Sequence, residues 1–291
     1  MSLDQLQSWS CPDLKPIKFT LLDGLVIICK FYNGTGVFAT ATRKLALVDL
    51  ASRDKVAIAR DLVVLGSIDG NLQTARLGAK PAALCKLHSI QAHERLIIDL
   101  KIVTLRGRAC IVSLGWDRFI KVLEVHEDGS VAPTGDPHQI STPGTFLEVL
   151  SFNDEVVVLV GRKDSSLLDV LSFGAERNLE YRYQIALSDA EYSTFRFVAM
   201  CITGRIFDSV PLVAVATSQE PYMWIVLVSL ANIPEDDQPI KRSQIVANFN
   251  NFASQDKYSE ARIAWNSNGT GLWVFGDDGA IRGLELEATQ D

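Results

Sequence analysis

The chain has 291 residues, of which 47% are hydrophobic and 22% charged, and this composition excludes wholesale disorder. Its 28 Lys and Arg against 35 Asp and Glu give a net charge of −7, which disfavours sequence-independent binding of nucleic acid. No apolar run approaches the roughly 18 residues that span a bilayer. The N-terminus lacks the basic and apolar regions of a secretory signal, so we expect an intracellular protein, nuclear or cytoplasmic, without membrane insertion.

Hydrophobic periodicity predicts an all-β chain. Apolar residues occur in short runs or alternate with polar residues, and they rarely show helical spacing. Residues 1–15 are interpreted as a flexible leader and residues 16–291 as one domain, in which the junction 51–61 is too short for two further strands. The predicted strands form six units in chain order: 16–22, 25–31, 37–42 and 45–50; 62–67 and 71–77; 84–90, 96–105, 109–114 and 119–125; 145–152, 156–161 and 167–173; 179–186, 195–202, 211–217 and 223–230; 244–249, 261–265, 272–276 and 280–286.

Cysteine and histidine positions indicate neither a metal site nor a disulfide framework. The five cysteines are scattered and lie mostly inside apolar runs: Cys11, Cys29, Cys85, Cys110 and Cys201. None has C-x-x-C spacing, so buried reduced thiols are the favoured interpretation. His88, His126 and His138 lack the ligand spacing of a zinc site. We therefore expect no metal and no cofactor.

The clearest unit contains residues 109–124, ACIVSLGWDRFIKVLE, in which two apolar runs flank a Gly-Trp-Asp-Arg turn. Acidic turns recur along the chain, at steps of 47 to 58 residues, against about 40 to 45 for a propeller blade. They are Asp69, Asp117, Asp164, Glu220 and Asp278. The hairpin resembles the inner hairpin of a WD-repeat β-propeller blade, and His93, Ser113 and Asp117 match the family's polar positions in this unit alone.

This resemblance implies an all-β, WD-repeat-like propeller of six recognisable blades, or seven if a degenerate blade occupies the short junction. Because an open sheet edge leaves backbone groups unpaired, propellers join their two ends within one blade. We expect the strand at 16–22 to complete the last blade in this way.

The polar turn residues are interpreted as a structural hydrogen-bond network. An Asp in a tight turn accepts hydrogen bonds from nearby backbone N–H groups. The network comprises His93, Ser113, Asp117, Asp69, Asp164 and Asp278. A serine-type triad is the alternative for the first three, but Ser113 lies in an apolar strand without a Gly-x-Ser-x-Gly elbow. We predict no catalytic residues, and we expect that the chain is not an enzyme.

Turns between the second and third strands of propeller blades gather on one face, and here that face concentrates cations and aromatic residues. The candidate partner-binding residues are Arg43, Trp116, Arg118, Arg162, Lys163 and Tyr222. Arg, Trp and Tyr are frequent hot spots at interfaces, although turns are also simply exposed and polar. An acidic or phosphorylated peptide is the hypothesis for the ligand, since arginine pairs carboxylate and phosphate.

By analogy with the family, we expect a non-catalytic scaffold or adaptor that holds other protein subunits in a complex. Direct binding of nucleic acid is not expected from the acidic composition. Two alternatives remain: a propeller hydrolase or lyase with a site in the central channel, and a nucleic-acid-associated subunit of a complex.

Overall fold

The computed structural model describes residues 2–9, 26–32, 35–40, 55–59, 62–77, 84–152, 155–162, 165–174, 177–187, 198–207, 210–219, 222–230, 243–250, 262–265, 271–275 and 281–287. Over these ranges the backbone forms strands and the turns that join them, with no helix, so the predicted all-β class is confirmed there. No helix that is long and apolar enough to cross a membrane occurs in these ranges.

The strands in chain order are β1 Ser2–Trp9, β2 Val26–Tyr32, β3 Thr35–Thr40, β4 Lys55–Ala59, β5 Leu62–Gly66, β6 Asn71–Leu77, β7 Leu84–Gln91, β8 Ile97–Leu105, β9 Arg108–Gly115, β10 Phe119–Val125, β11 Val131–Pro133, β12 His138–Gln139, β13 Gly144–Phe152, β14 Glu155–Arg162, β15 Leu167–Phe173, β16 Leu179–Ala186, β17 Val198–Phe207, β18 Val210–Gln219, β19 Tyr222–Ser229, β20 Ser243–Asn250, β21 Arg262–Trp265, β22 Gly271–Phe275 and β23 Ile281–Glu287.

Strands that follow one another in the chain mostly pair with one another. The sheets have the orders β2-β3, β4-β5-β6-β7, β8-β9-β10-β11 with β12 beside β10, β13-β14-β15-β16, β17-β18-β19-β20, and β21-β22-β23-β1. Short turns join β5 to β6 and β9 to β10, as the Gly/Asp turn signals of the sequence predicted there. The result is a series of small meanders.

Residues 15–147 and 173–180 form one compact unit. Continuous apolar runs make strands that are buried on both faces, and β5 is buried at every position. The buried core of this unit comprises Leu62, Val64, Leu72, Ala92, Ile97, Leu100, Ile111, Leu123 and Val131. Cys110 in β9 is buried and free, and burial raises the pKa of its thiol.

Residues 1–14, 148–172 and 181–291 form a second compact unit. Its interior is supplied by apolar runs of β14, β15 and β18, and residues 158–160 and 213–216 expose none of their surface. Gly204 in β17 lies against Leu150, and a Cβ at position 204 would overlap that leucine side chain. The absence of a side chain at position 204 therefore allows close packing there.

The N-terminal strand that pairs with the last sheet is β1, whereas the sequence predicted the segment 16–22. β1 pairs antiparallel with β23 from Ser2 opposite Glu287 to Trp9 opposite Ile281. The interpretation of residues 1–15 as a flexible leader missed this strand, and segment 16–22 lies outside the described residues. Among the described strands, β1 stands at the edge of its sheet, and its sequence, SLDQLQSW, is mostly polar, as is common for an edge strand.

Three strands that the sequence analysis placed first in a unit instead belong to the sheet of the preceding unit. β7 pairs with β6, β16 belongs to the sheet of β15, and β20 pairs with β19. The irregular junction holds one strand, β4, which pairs with β5. The repeat assignment was wrong at these points because strand patterning does not reveal which neighbour a strand joins.

Candidate functional site

The turn between β9 and β10 ends a hairpin whose strands are mostly buried. Ile120 pairs with Leu114 at the turn end of the hairpin. The turn is closed by a 3.2 Å hydrogen bond from the Arg118 N–H to the Gly115 carbonyl. Arg118 has a φ of 68°, in the left-handed region that residues with side chains seldom adopt. This turn therefore needs support from its surroundings.

The support is a buried polar network beneath the turn. The two carboxylate oxygens of Asp117 lie 3.0 and 3.1 Å from Nδ1 of His93, and Nε2 of His93 lies 2.9 Å from Oγ of Ser113. Asp117 also accepts hydrogen bonds from the backbone N–H groups of Glu94, at 3.1 Å, and Phe119, at 3.2 Å. Asp117 thus ties its own turn to the segment that precedes β8.

The hydrogen-bond partners determine the protonation of His93. An ionised carboxylate only accepts, so Nδ1 carries the hydrogen and donates it to Asp117, while Ser113 donates to Nε2. His93 is 1% exposed, and burial lowers its pKa, against the opposing attraction of Asp117. His93 is therefore neutral at pH 7.

The order of Asp117, His93 and Ser113 is that of a serine-hydrolase triad, yet the surroundings are those of a core. Ser113 exposes none of its surface, so no substrate can meet its hydroxyl in this conformation. Gly115 closes the space further, because a Cβ there would overlap both Asp117 Oδ1 and His93 Nδ1. This triplet holds a turn.

Neighbouring segments are hydrogen-bonded to the same turn. The Trp116 N–H donates to the Leu96 carbonyl at 2.8 Å, and the Ile140 N–H donates to the Arg118 carbonyl at 2.9 Å. On the other side of Leu96, the Ile97 N–H donates to the Ser67 carbonyl at 3.1 Å. Backbone bonds therefore connect the β5–β6 turn, the segment before β8, the β9–β10 turn and the segment after β12.

The β5–β6 turn is built around Asp69. Its carboxylate accepts hydrogen bonds from the Ser67 hydroxyl and from Asn71 Nδ2, and these bonds hold the pKa of Asp69 below its usual range. Gly70 follows with a φ of 84°, and its carbonyl accepts from the N–H groups of Ala92 and His93 at 3.0 Å. A Cβ at Gly70 would overlap the His93 carbonyl, so glycine is required.

We call the exposed side of these connected segments the turn face. It comprises Ile68, Asp69, Glu94, Arg95, Trp116 and Arg118. Ile68 is 47% exposed and Trp116 is half-buried, so both contribute apolar surface. Arg95 and Arg118 supply cations, and Asp69 and Glu94 supply anions. The face thus offers apolar area with charges of both signs.

The opposite end of the same hairpin carries a second polar cluster. Glu124 accepts from Nη1 of Arg108 at 2.5 Å and from Nη1 of Arg177. The two arginines hold the pKa of Glu124 below its usual range. Arg108 is 61% exposed and Arg177 22% exposed at the side chain, so this cluster lies at the surface.

Comparison with known proteins identifies the fold family. A family profile described as UCP007778, beta-propeller domain, matches residues 54–291. The chain belongs to this β-propeller family. The uncharacterized protein YGR117C of Saccharomyces cerevisiae is 24% identical over 213 residues, which cover 64% of this chain and 45% of the yeast protein. The chain thus matches less than half of that relative's length.

A solved structure supports the same fold. A crystal structure of a protein from Lactobacillus plantarum has a TM-score of 0.57 and 13% sequence identity, over 84% of this chain and 72% of that protein. The predicted β-propeller is therefore confirmed at the level of the fold.

The predicted site residues fall into four groups. His93, Ser113 and Asp117 are brought together, and Asp69 lies in the neighbouring turn. Trp116 and Arg118 stand on the turn face. Four predicted residues lie outside the described ranges: Arg43, Lys163, Asp164 and Asp278.

Two predicted partner-binding residues are not shown to share that face. Nε of Arg162 lies 3.0 Å from Oδ2 of Asp169, and the Arg162 side chain is only 13% exposed. The Arg162 guanidinium is therefore largely covered and paired with a carboxylate of the same chain. Tyr222 begins β19, where its backbone is opposite Gln219 and Asn250.

Sequence reasoning missed Ile68 and Arg95. An isoleucine inside a Ser-Ile-Asp-Gly turn is itself a signal, since turn positions are normally polar or glycine. Arg95 lacked any such signal, because its place on the face depends on the fold of residues 92–97. Among the described residues, no three His, Cys, Asp or Glu side chains are grouped to hold a metal ion.

Proposed function

We propose that this β-propeller is a non-catalytic scaffold or adaptor subunit that binds another protein through the turn face. One observation carries the proposal: a buried network fixes a turn that presents exposed Arg118 beside half-buried Trp116. Arg and Trp are the residue types most often energetic at interfaces. A turn that buried hydrogen bonds already hold in place loses little conformational entropy when a partner binds.

Within the propellers, we place the chain among divergent WD-repeat-like members with six blades, or seven, closed by an N-terminal strand. The hydrogen bonds that join His93 to Asp117 and Ser113 support this placement, because the WD-repeat hairpin is expected to have them. The pairing of β1 with β23 supports the joining of the two chain ends in one sheet. The protein acts inside the cell, in the nucleus or cytoplasm.

The partner segment is acidic or phosphorylated. Arg95 and Arg118 are exposed on the turn face, and guanidinium groups pair carboxylate and phosphate with two parallel hydrogen bonds. Ile68 and Trp116 supply apolar contact beside them. Asp69 and Glu94 repel acidic groups placed out of register, so they set the orientation of the segment.

Charge reversal tests the proposal. Tagged wild-type and Arg118→Glu chains are purified from the cells that produce the protein, and co-purifying proteins are quantified by mass spectrometry. We expect recovery of the direct partner to fall about tenfold for Arg118→Glu, as for an interface residue worth about 1.4 kcal/mol.

The matched control is Arg106→Glu. Arg106 is also an exposed arginine with a left-handed φ, 49°, but it lies in the β8–β9 turn at the other end of β9. Partner recovery with Arg106→Glu stays at the wild-type level if the turn face is the interface. Equal recovery with both variants and the wild type, with unchanged thermal unfolding, would contradict the proposal.

A further inference from the structure

Thr142 stands out in the sequence because of the residue that follows it. The chain has ten prolines, and Pro143 is the only one that a serine or threonine precedes. Proline-directed protein kinases require this dipeptide in their acceptors. Since proline restricts the preceding residue to extended conformations, it also favours the shape in which a kinase binds its substrate.

The structure leaves Thr142 accessible to an enzyme. Thr142 is exposed and lies between β12 and β13, outside any strand. Its neighbour Ile140 is 4% exposed and anchors the segment. An acceptor on an anchored, exposed segment can be modified in the folded protein.

The same segment lies against the turn that carries Arg118. The Ile140 N–H donates to the Arg118 carbonyl at 2.9 Å, and Gln139 pairs with Phe119. Thr142 follows Ile140 by two residues, and two residues of chain span at most about 7 Å. A phosphate on Thr142 is therefore placed within about one Debye length of the turn face.

We propose that Thr142 is the acceptor of a proline-directed kinase and that its phosphorylation switches off acidic-partner binding at Arg118. The Thr142 hydroxyl oxygen bonds to the γ-phosphorus of ATP as the bond between the γ-phosphorus and the bridging oxygen breaks. ADP leaves, and the hydroxyl proton passes to the kinase base. The regulatory step rests on the proposed function; the modification does not.

The physical effect is competition for one cation. A phosphothreonine carries about −1.5 to −2 charges at pH 7 and accepts strong hydrogen bonds from arginine. Arg118 then pairs within the chain, and its guanidinium is no longer offered to a carboxylate or phosphate of the partner. The added charge also repels an acidic segment from the turn face.

The modification is tested on the full folded chain. Wild type and three variants, Thr142→Ala, Ser141→Ala and Pro143→Ala, are incubated with ATP and a purified proline-directed kinase, and phosphopeptides are mapped by mass spectrometry. We expect phosphate on Thr142 in the wild type and in Ser141→Ala, and none in the other two. An unmodified Thr142 in the wild type, or modification that persists in Pro143→Ala, would overturn the assignment.

The switch is tested with a fluorescent octaglutamate peptide by fluorescence anisotropy. We expect phosphorylation to weaken binding about fivefold, the size of a single charge pair, and to cause no further loss in Arg118→Glu. If phosphorylation leaves the affinity for octaglutamate unchanged while Arg118→Glu weakens it, the proposed switch is contradicted and the proposed function is not. If Arg118→Glu binds octaglutamate as tightly as the wild type does, the proposal of an acidic ligand at Arg118 is contradicted. The phosphopeptide map still tests separately whether Thr142 is phosphorylated.

Discussion

Each end of the β9–β10 hairpin contains a carboxylate, and the two carboxylates have different hydrogen-bond donors. At one end, Asp117 accepts from a neutral buried histidine and two backbone N–H groups. At the other end, Glu124 accepts from two arginines, one of which is 61% exposed. The side chains of Asp117 and Glu124 are 5% and 11% exposed, so both carboxylates are well covered.

The difference lies in what each arrangement fixes. The bonds to Asp117 come from a buried ring and from backbone N–H groups, so they fix the backbone of a turn and connect it to its neighbours. Long, flexible arginines neutralise Glu124 with less demand on geometry, and an exposed ion pair adds little stability. A turn held by buried hydrogen bonds suits a recognition surface, and for this reason we propose the interface at the Asp117 end.

The largest effect is expected from a methyl group inserted into the Asp117 network. Gly115→Ala places a Cβ in overlap with Asp117 and His93, so both side chains must move and their buried hydrogen bonds break. We expect a loss of about 3 kcal/mol in the free energy of unfolding, measured by urea denaturation.

Gly107→Ala provides the control for this prediction. No atom lies within 4 Å of a Cβ at position 107, but the φ there is 78°. Only the left-handed backbone opposes alanine, at a cost of about 1 kcal/mol. If Gly115→Ala costs no more than Gly107→Ala, the network does not support the turn as described.

The hairpin was predictable from local sequence, and the resemblance to WD-repeat blades placed His93 with Ser113 and Asp117. Strand partners and edge strands were not predictable. Gly115, Asp117 and Ser113 are close in the chain, so turn chemistry and alternation place them together. The choice of β6 as the partner of β7 depends on non-local packing that no local pattern encodes. Arg162 shows the same limit for a side chain, because its partner Asp169 belongs to the next strand and burial is a property of the fold.

An intermediate effect is expected from acid. The pKa of His93 is lower in the folded protein than in the unfolded chain, where a histidine has a pKa of about 6.5. As the pH falls, the unfolded chain therefore protonates His93 before the folded protein does. Proton uptake then favours unfolding, so stability is full above about pH 6.5 and is lost toward the lower folded value, by at most about 1.4 kcal/mol per pH unit. His93→Gln keeps a polar side chain without titrating, so its unfolding free energy should vary less than that of the wild type between pH 5 and 7. Parallel curves for the two proteins would show that His93 is not held neutral.

The smallest effect is expected at Glu124, and salt separates it from the Asp117 end. Glu124→Gln removes the charge that pairs Arg108 and Arg177, while the amide oxygen still accepts a hydrogen bond. The difference in unfolding free energy between wild type and Glu124→Gln should shrink as NaCl rises from about 0.05 to 1 M, because the Debye length falls from more than 10 Å to about 3 Å. The matched variant Asp117→Asn should show a larger loss that salt leaves unchanged, since Asp117 and His93 are shielded from solvent. If the loss of unfolding free energy depends on salt equally in the two variants, charge stabilises both ends of the hairpin. The proposed difference between the Asp117 end and the Glu124 end is then contradicted.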